Sequence, residues 1–254
     1  MPEGDVLHRV AARLRLLEGS AVGARSPHPR GAATGVAARV DGRVLVSVAA
    51  VGKHLLLEFS GGVVLRSHLG MKGRWRVDPP QARLLGTPWL VLETPLWRAA
   101  QWHGPTLTLE TRPVRRLGPD ILDPKARVGD LVAAISRADG RKGVAETLLD
   151  QRVVSGLGTV WVSEVLHAAG LPPRLPVGAA GPDALHRMVV LAREAMSASV
   201  AGPRVRRSVY RRAGRGCPRC GATIERVAVG DSARGIYWCP GCQNEDSARA
   251  GRTV

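Results

Sequence analysis

The stretch Cys217-Pro218-Arg219-Cys220, followed after 18 residues by Cys239-Pro240-Gly241-Cys242, contains every cysteine of the 254-residue chain. Each pair places two thiolates on one tight knuckle, and two knuckles complete the four-sulfur shell of a tetrahedral structural metal site. A lone Cys-x-x-Cys also suits redox chemistry; two at this spacing read as metal ligands. Cys217, Cys220, Cys239 and Cys242 are therefore expected to hold one structural Zn2+, and no organic cofactor is expected. Residues 223–229 and 235–238 between the knuckles suit a β-hairpin with little core of its own, so the metal should supply most of its folding free energy. By itself this segment indicates a nucleic-acid-binding finger or ribbon.

Working outward from the cysteines, Arg204, Arg206, Arg207, Arg211, Arg212 and Arg215 form a basic approach. Before them, residues 183–200, 158–169, 143–150 and 130–138 carry apolar side chains at three- and four-residue spacing, broken by Gly and Pro, and read as helices. The stretch 116–124, with Gly118-Pro119-Asp120 and Asp123-Pro124, reads as a linker. Earlier still, short β-type runs recur at 43–50, 55–59, 63–67, 74–77, 89–93 and 106–110, with Gly61-Gly62 marking a hairpin. Their regular spacing predicts a sandwich or barrel instead of alternating β and α units. At the start, residues 3–18 place Val6, Val10, Leu14 and Leu17 on one face of an amphipathic helix, with acidic residues in its first turn where the dipole favours them. The fold class is therefore α+β.

Composition bounds the partners. With 44% hydrophobic residues the chain can bury a core, and 37 Lys plus Arg against 21 Asp plus Glu give a net charge of +16 that attracts polyanions, nucleic acid first. Only four of the basic residues are Lys, a bias that phosphate binding and a GC-rich genome explain equally well. No uncharged apolar run reaches the roughly 18 residues needed to span a bilayer. Glu3, Asp5 and Arg9 stand where a secretory signal needs an apolar stretch, so a cytoplasmic protein with reduced cysteines is expected. No heptad or apolar interface stands out, and a monomer is the default.

Six stretches then fall in one family's order: Met1-Pro2-Glu3-Gly4, Val51-Gly52-Lys53-His54-Leu55-Leu56, Ser67-His68-Leu69-Gly70-Met71, Leu117-Gly118-Pro119-Asp120, Leu149-Asp150-Gln151 with Val154-Ser155-Gly156-Leu157-Gly158, and Arg234 with the cysteine pairs. Together they resemble the formamidopyrimidine-DNA glycosylase and endonuclease VIII family of base-excision repair enzymes. The resemblance implies an N-terminal helix plus two-sheet β-sandwich, then a C-terminal helix-two-turn-helix bundle with a zinc-finger β-hairpin. The expected boundaries are a catalytic helix and sandwich over 1–113, a linker over 114–127, a helical DNA-binding domain over 128–203, a zinc hairpin over 204–246 and a tail over 247–254.

The same resemblance assigns roles. Pro2, exposed once Met1 is removed, is the nucleophile; an α-amino group titrates near about 8 against about 10.4 for Lys, so more of it is unprotonated at neutral pH. Attack of this secondary amine on the sugar C1′ forms a cationic iminium, an electron sink for eliminating the phosphates. Glu3 is the general acid. Lys53 meets phosphate and donates a proton during β-elimination, and Arg234 grips phosphate during δ-elimination. Met71 is the wedge filling the void left by a flipped base. Arg116 and Thr159 contact DNA, the latter at a helix start whose N–H groups can hold phosphate.

Three departures shape the reading. Val6 stands where the family often has a second carboxylate, and Thr159 stands where it usually has Asn. The purine branch's Asn-Asp-Pro-Arg-Arg-Phe-Gly segment is absent, the comparable region reading Trp97-Arg98-Ala99-Ala100-Gln101-Trp102-His103-Gly104. The purine branch's Gly-rich loop before Cys217 is missing too. The expectation is thus a bifunctional glycosylase and lyase for oxidised pyrimidines, most like the actinobacterial endonuclease VIII-type branch, acting on damaged DNA beside the bacterial nucleoid without a membrane. The alternative is a non-catalytic or lyase-only lesion-binding protein on the same scaffold.

Overall fold

A computed structural model describes residues 2–110, 117–202 and 206–244. They fall into two compact units, one of Pro2 with residues 6–110 and one of residues 3–5 with 117–202 and 206–244.

From Val6 on in the first unit, α1 (Gly4–Leu14) runs into a 3-10 turn, Arg15–Leu17. Leu7, Ala11, Leu14 and Leu17 are fully buried, while Val6 and Val10 flank this stripe and are only partly covered. The buried face is thus rotated by about one residue from the one read in the sequence. Ten strands and eight helices make up the described chain. Here β1 (Gly23–Arg25), β6 (Leu90–Glu93), β7 (Arg98–Trp102) and β5 (Arg74–Asp78) form one sheet in the order β1-β6-β7-β5. A second sheet orders β2 (Leu45–Val51), β3 (His54–Phe59), β4 (Val63–His68) and β8 (Thr106–Glu110) as β2-β3-β4-β8. All pairings are antiparallel. Alternation sets the faces: Leu55, Leu57 and Phe59 of β3 and Trp75 and Val77 of β5 turn into the common core with α1. Short helices α2 (Pro29–Ala32) and α3 (Val36–Val40) connect β1 to β2.

Two strands were not legible in advance. β1 is only three residues long, and β7 is built on Ala99-Ala100-Gln101, residue types with weak strand preference. Every residue of β7 is buried, because it lies between β5 and β6, and that placement overrides local propensity.

The second unit holds α4 (Val128–Ser136), α5 (Val144–Leu149), α6 (Thr159–Ala169), α7 (Val177–Ala180) and α8 (Pro182–Ala201), then the antiparallel hairpin of β9 (Glu225–Val229) and β10 (Arg234–Trp238). Along α8, Leu185, Met188, Val189, Ala192 and Met196 face the core, as their spacing predicts. Val229 and Ile236 of the hairpin enter the same core as Trp161 and Leu166 of α6. The hairpin is therefore held by helix packing as well as by its knuckles. Ile121 is fully buried in this core and Asp120 bridges to Ser155, so residues 117–127 of the stretch read as a linker are fastened to the helices. Among the described residues no helix is long and apolar enough to cross a membrane.

Candidate functional site

Glu3 is the most constrained of the expected site residues. Its carboxylate, 4% exposed, accepts from the backbone N–H of Gly158 at 2.9 Å, Val160 at 2.9 Å and Trp161 at 3.1 Å. These donors open α6, where the first turn of a helix has N–H groups without intrahelical partners. Three donors and the positive end of the helix dipole favour the ionised carboxylate. The Glu3 carboxyl group is thereby fixed at the start of α6. Gly158 makes the approach possible, since a Cβ there would stand 2.4 Å from Glu3 Oε1.

The neighbours lock this position. The Gly4 N–H donates to the Gly156 carbonyl at 2.8 Å, and the Ser199 hydroxyl of α8 donates to Asp5 Oδ2 at 2.7 Å. Gln151 Nε2 donates to the carbonyls of Leu157 at 2.9 Å and Leu149 at 3.2 Å, while its Oε1 accepts from Gly156 N–H at 3.1 Å. Ser155 bonds through its hydroxyl to the Gly118 carbonyl at 3.0 Å and through its N–H to the Pro119 carbonyl at 3.0 Å. Three sequence stretches that looked separate thus form one hydrogen-bonded support for the start of α6.

At the helix start that follows residues 154–158, where exposed N–H groups are expected to hold phosphate, the N–H groups of Gly158, Val160 and Trp161 are engaged by Glu3, a buried carboxylate that satisfies these orphan donors from within the chain. Thr159 stands among them as the first residue of α6. Arg234 opens β10 on an exposed position and donates to the Leu149 carbonyl at 3.4 Å, the same oxygen that Gln151 contacts. Arg116 lies outside the described residues.

The four cysteine sulfurs lie within 4.8 Å of one another, with Cys220 and Cys239 at 3.4 Å and Cys217 and Cys242 at 3.8 Å. Metal–sulfur bonds of about 2.3 Å in a tetrahedron require sulfur–sulfur edges of about 3.8 Å. The donor set fits a metal ion.

In the first unit, Gly52 and Lys53 form the tight turn from β2 to β3, with Gly52 at φ +60° and Val51 paired to His54. Lys53 is only 5% exposed, far from the solvated strand-edge lysine its position alone suggests. Met71, by contrast, is 75% exposed on the turn after β4.

Comparison with known proteins fits this picture. A model of the formamidopyrimidine-DNA glycosylase N-terminal domain matches residues 1–111. Over 99% of its length the chain is 36% identical to a probable endonuclease 8 2 of Streptomyces coelicolor, covering 97% of that protein. The chain belongs to the formamidopyrimidine-DNA glycosylase and endonuclease VIII family. Another family member, the DNA-(apurinic or apyrimidinic site) lyase Nei2 of Mycolicibacterium smegmatis, is 35% identical over 96% of this chain and 99% of its own. The fold matches that of Lactococcus lactis Fpg, solved with an abasic site containing DNA, at a TM-score of 0.79 and 22% identity over 96% of this chain and all of the other.

Two groups of this family member, the half-buried Glu164 and the buried His167, escaped the sequence reading. Glu164 of α6 accepts the N–H groups of Ser208 at 2.8 Å, Val209 at 3.1 Å and Tyr210 at 2.8 Å, fixing the approach to the first knuckle. His167 of the same helix reaches Cys217. The available signal was one acid and one imidazole on a helix whose other residues, Thr159 and Ser163 aside, are apolar.

Close to Lys53, the rings of His54 and His68 pair across β3 and β4 at 5.0 Å. Burial, then the neighbouring His68 and Arg66, lowers His54 from 6.5 to about 4, Glu110 opposing. Burial, then Lys53 and Arg66, lowers His68. Between pH 6.5 and about 4 the unfolded chain binds a proton at His54 that the folded chain refuses, so stability falls as pH drops through this window and is unaffected by His54 above it. Urea midpoints of the wild type should decline from pH 7 to pH 5 more steeply than those of His54→Phe. Parallel declines would show that this imidazole does not set the slope.

Proposed function

We propose that the protein is a bifunctional DNA glycosylase and abasic-site lyase of base-excision repair that removes oxidised pyrimidines through Pro2. The observation that carries the reading is the Glu3 carboxylate, fixed by three N–H groups and covalently next to Pro2. With Met1 removed, the prolinium proton passes to Glu3 and the freed amine attacks C1′. The C1′ bond to the base breaks, and the base leaves with its bonding electrons and takes up the proton that the Pro2 nitrogen sheds once it is bonded to C1′. Glu3 returns its proton to the ring oxygen as the sugar opens to the iminium. Loss of a C2′ proton then expels the 3′ phosphate, and a second elimination expels the 5′ phosphate. Water finally releases Pro2.

The remaining residues serve the DNA. Lys53 and Arg234 hold phosphate and assist the β- and δ-eliminations, Thr159 and Arg116 add backbone contacts, and Met71 fills the gap left by the flipped base. A Zn2+ held by Cys217, Cys220, Cys239 and Cys242 supplies a crosslink for the hairpin carrying Arg234. The +16 charge suits damaged DNA as the partner of a monomer working in the bacterial cytoplasm at the nucleoid. The missing arginine segment and the endonuclease 8 relatives favour pyrimidine lesions.

The test is borohydride trapping of untagged protein, with Met1 removal verified by mass, on duplexes bearing an abasic site or an oxidised pyrimidine. An adduct mapped to Pro2 on both substrates is the expected result. An adduct on the abasic site alone would leave a lyase, and none from DNA-binding, metal-loaded protein would overturn the enzymatic reading.

A further inference from the structure

At the last turn of α6, the His167 ring is 4% exposed and its Nε2 lies 3.4 Å from Cys217 Sγ. The Arg219 N–H approaches the same sulfur at 3.4 Å. Four cysteines already complete a tetrahedral shell, so the imidazole is left beside the shell, where an N–H can donate to a thiolate. The second knuckle is tied to the same region: Cys239 N–H donates to Gln243 Oε1 at 2.8 Å, and Gln243 Nε2 donates to the Leu171 carbonyl at 2.8 Å. We infer that His167 is a positioning residue of the metal centre, donating Nε2–H to the Cys217 thiolate and fastening the first knuckle to α6.

The physical consequence is twofold. A hydrogen bond to a metal-bound thiolate withdraws electron density from sulfur and fixes the direction of its lone pairs, and loss of such outer partners typically costs about 10- to 100-fold in metal affinity. The bond also joins the metal to the helix whose other end caps Glu3. The 11 residues of α6 form a rod about 16 Å long, so metal and carboxylate are positioned by one rigid element.

The inference rests on the four thiolates binding metal, and cobalt separates the two questions. Full-length wild type loaded with Co2+ should show an intense sulfur-to-cobalt charge-transfer band; its absence would overturn the metal reading and this inference with it. His167→Met, which keeps bulk without a donor, should move the band to longer wavelength and release metal to a chelator about 10- to 100-fold faster. His167→Gln, which restores an N–H at similar reach, should return both to near wild-type values. An unshifted band in His167→Met, or equal release from the Met and Gln variants, would overturn the role. Should His167→Met fail to fold, wild type loaded with cadmium-113 decides: a scalar coupling between the His167 ring N–H and the metal through sulfur is expected, and its absence from an assigned spectrum overturns the bond.

Discussion

Glu3→Gln is expected to slow covalent trapping by about 10²- to 10⁴-fold while leaving DNA binding in place. Two carboxylate oxygens now receive three N–H donors, Gly158 and Trp161 on Oε2 and Val160 on Oε1. An amide has one acceptor oxygen. If it faces Gly158 and Trp161, its own NH2 is directed at the Val160 N–H, and one buried donor loses its partner, at a cost of about 1–3 kcal/mol. The chemical loss is larger, because Gln neither takes the prolinium proton nor returns one to the sugar; general acid–base catalysis contributes about 10²- to 10⁴-fold. Trapping rates on abasic-site DNA should fall by that factor, with urea unfolding showing the smaller stability loss. A variant trapping within tenfold of wild type would remove Glu3 from the proton path.

The four-cysteine cluster and most strands and helices were legible because their signals are local. Two Cys-x-x-Cys knuckles need no tertiary context, and the alternation of Leu55, Leu57 and Phe59 or the helical spacing along α8 follows from the period of each element. What escaped was set by distant partners. Nothing local in Ala99-Ala100 makes β7 a strand; its place between β5 and β6 does. The start of α6 carries the same lesson for the site. Its glycines and N–H groups have the pattern of an anion-binding turn, and they do bind an anion, but the anion is Glu3, supplied from 155 residues away. Residue type predicted the chemistry of that turn, whereas only the fold could say which carboxylate or phosphate would fill it. His167 was invisible for a related reason, since an apolar helix with one imidazole usually means a packed core.

Gly158→Ala tests that placement without altering any reacting group. Gly158 sits at φ −138° and ψ −166°, an extended conformation open to any residue, so no backbone strain is added. The new methyl would nevertheless stand 2.4 Å from Glu3 Oε1 and 2.5 Å from its Cδ, inside contact distance. The carboxylate must withdraw by about 1 Å, a displacement that costs about 100-fold when a catalytic group is involved. Trapping should drop by that factor, metal content and DNA affinity should stay unchanged, and stability should fall only by the weakened bonds to α6, about 1–3 kcal/mol. Because both substitutions act through one carboxylate, their effects should not add. Glu3→Gln combined with Gly158→Ala is expected to be no slower than Glu3→Gln alone. Additive losses would mean that Gly158 serves the reaction by another route, such as close approach of the DNA backbone, and not by holding Glu3.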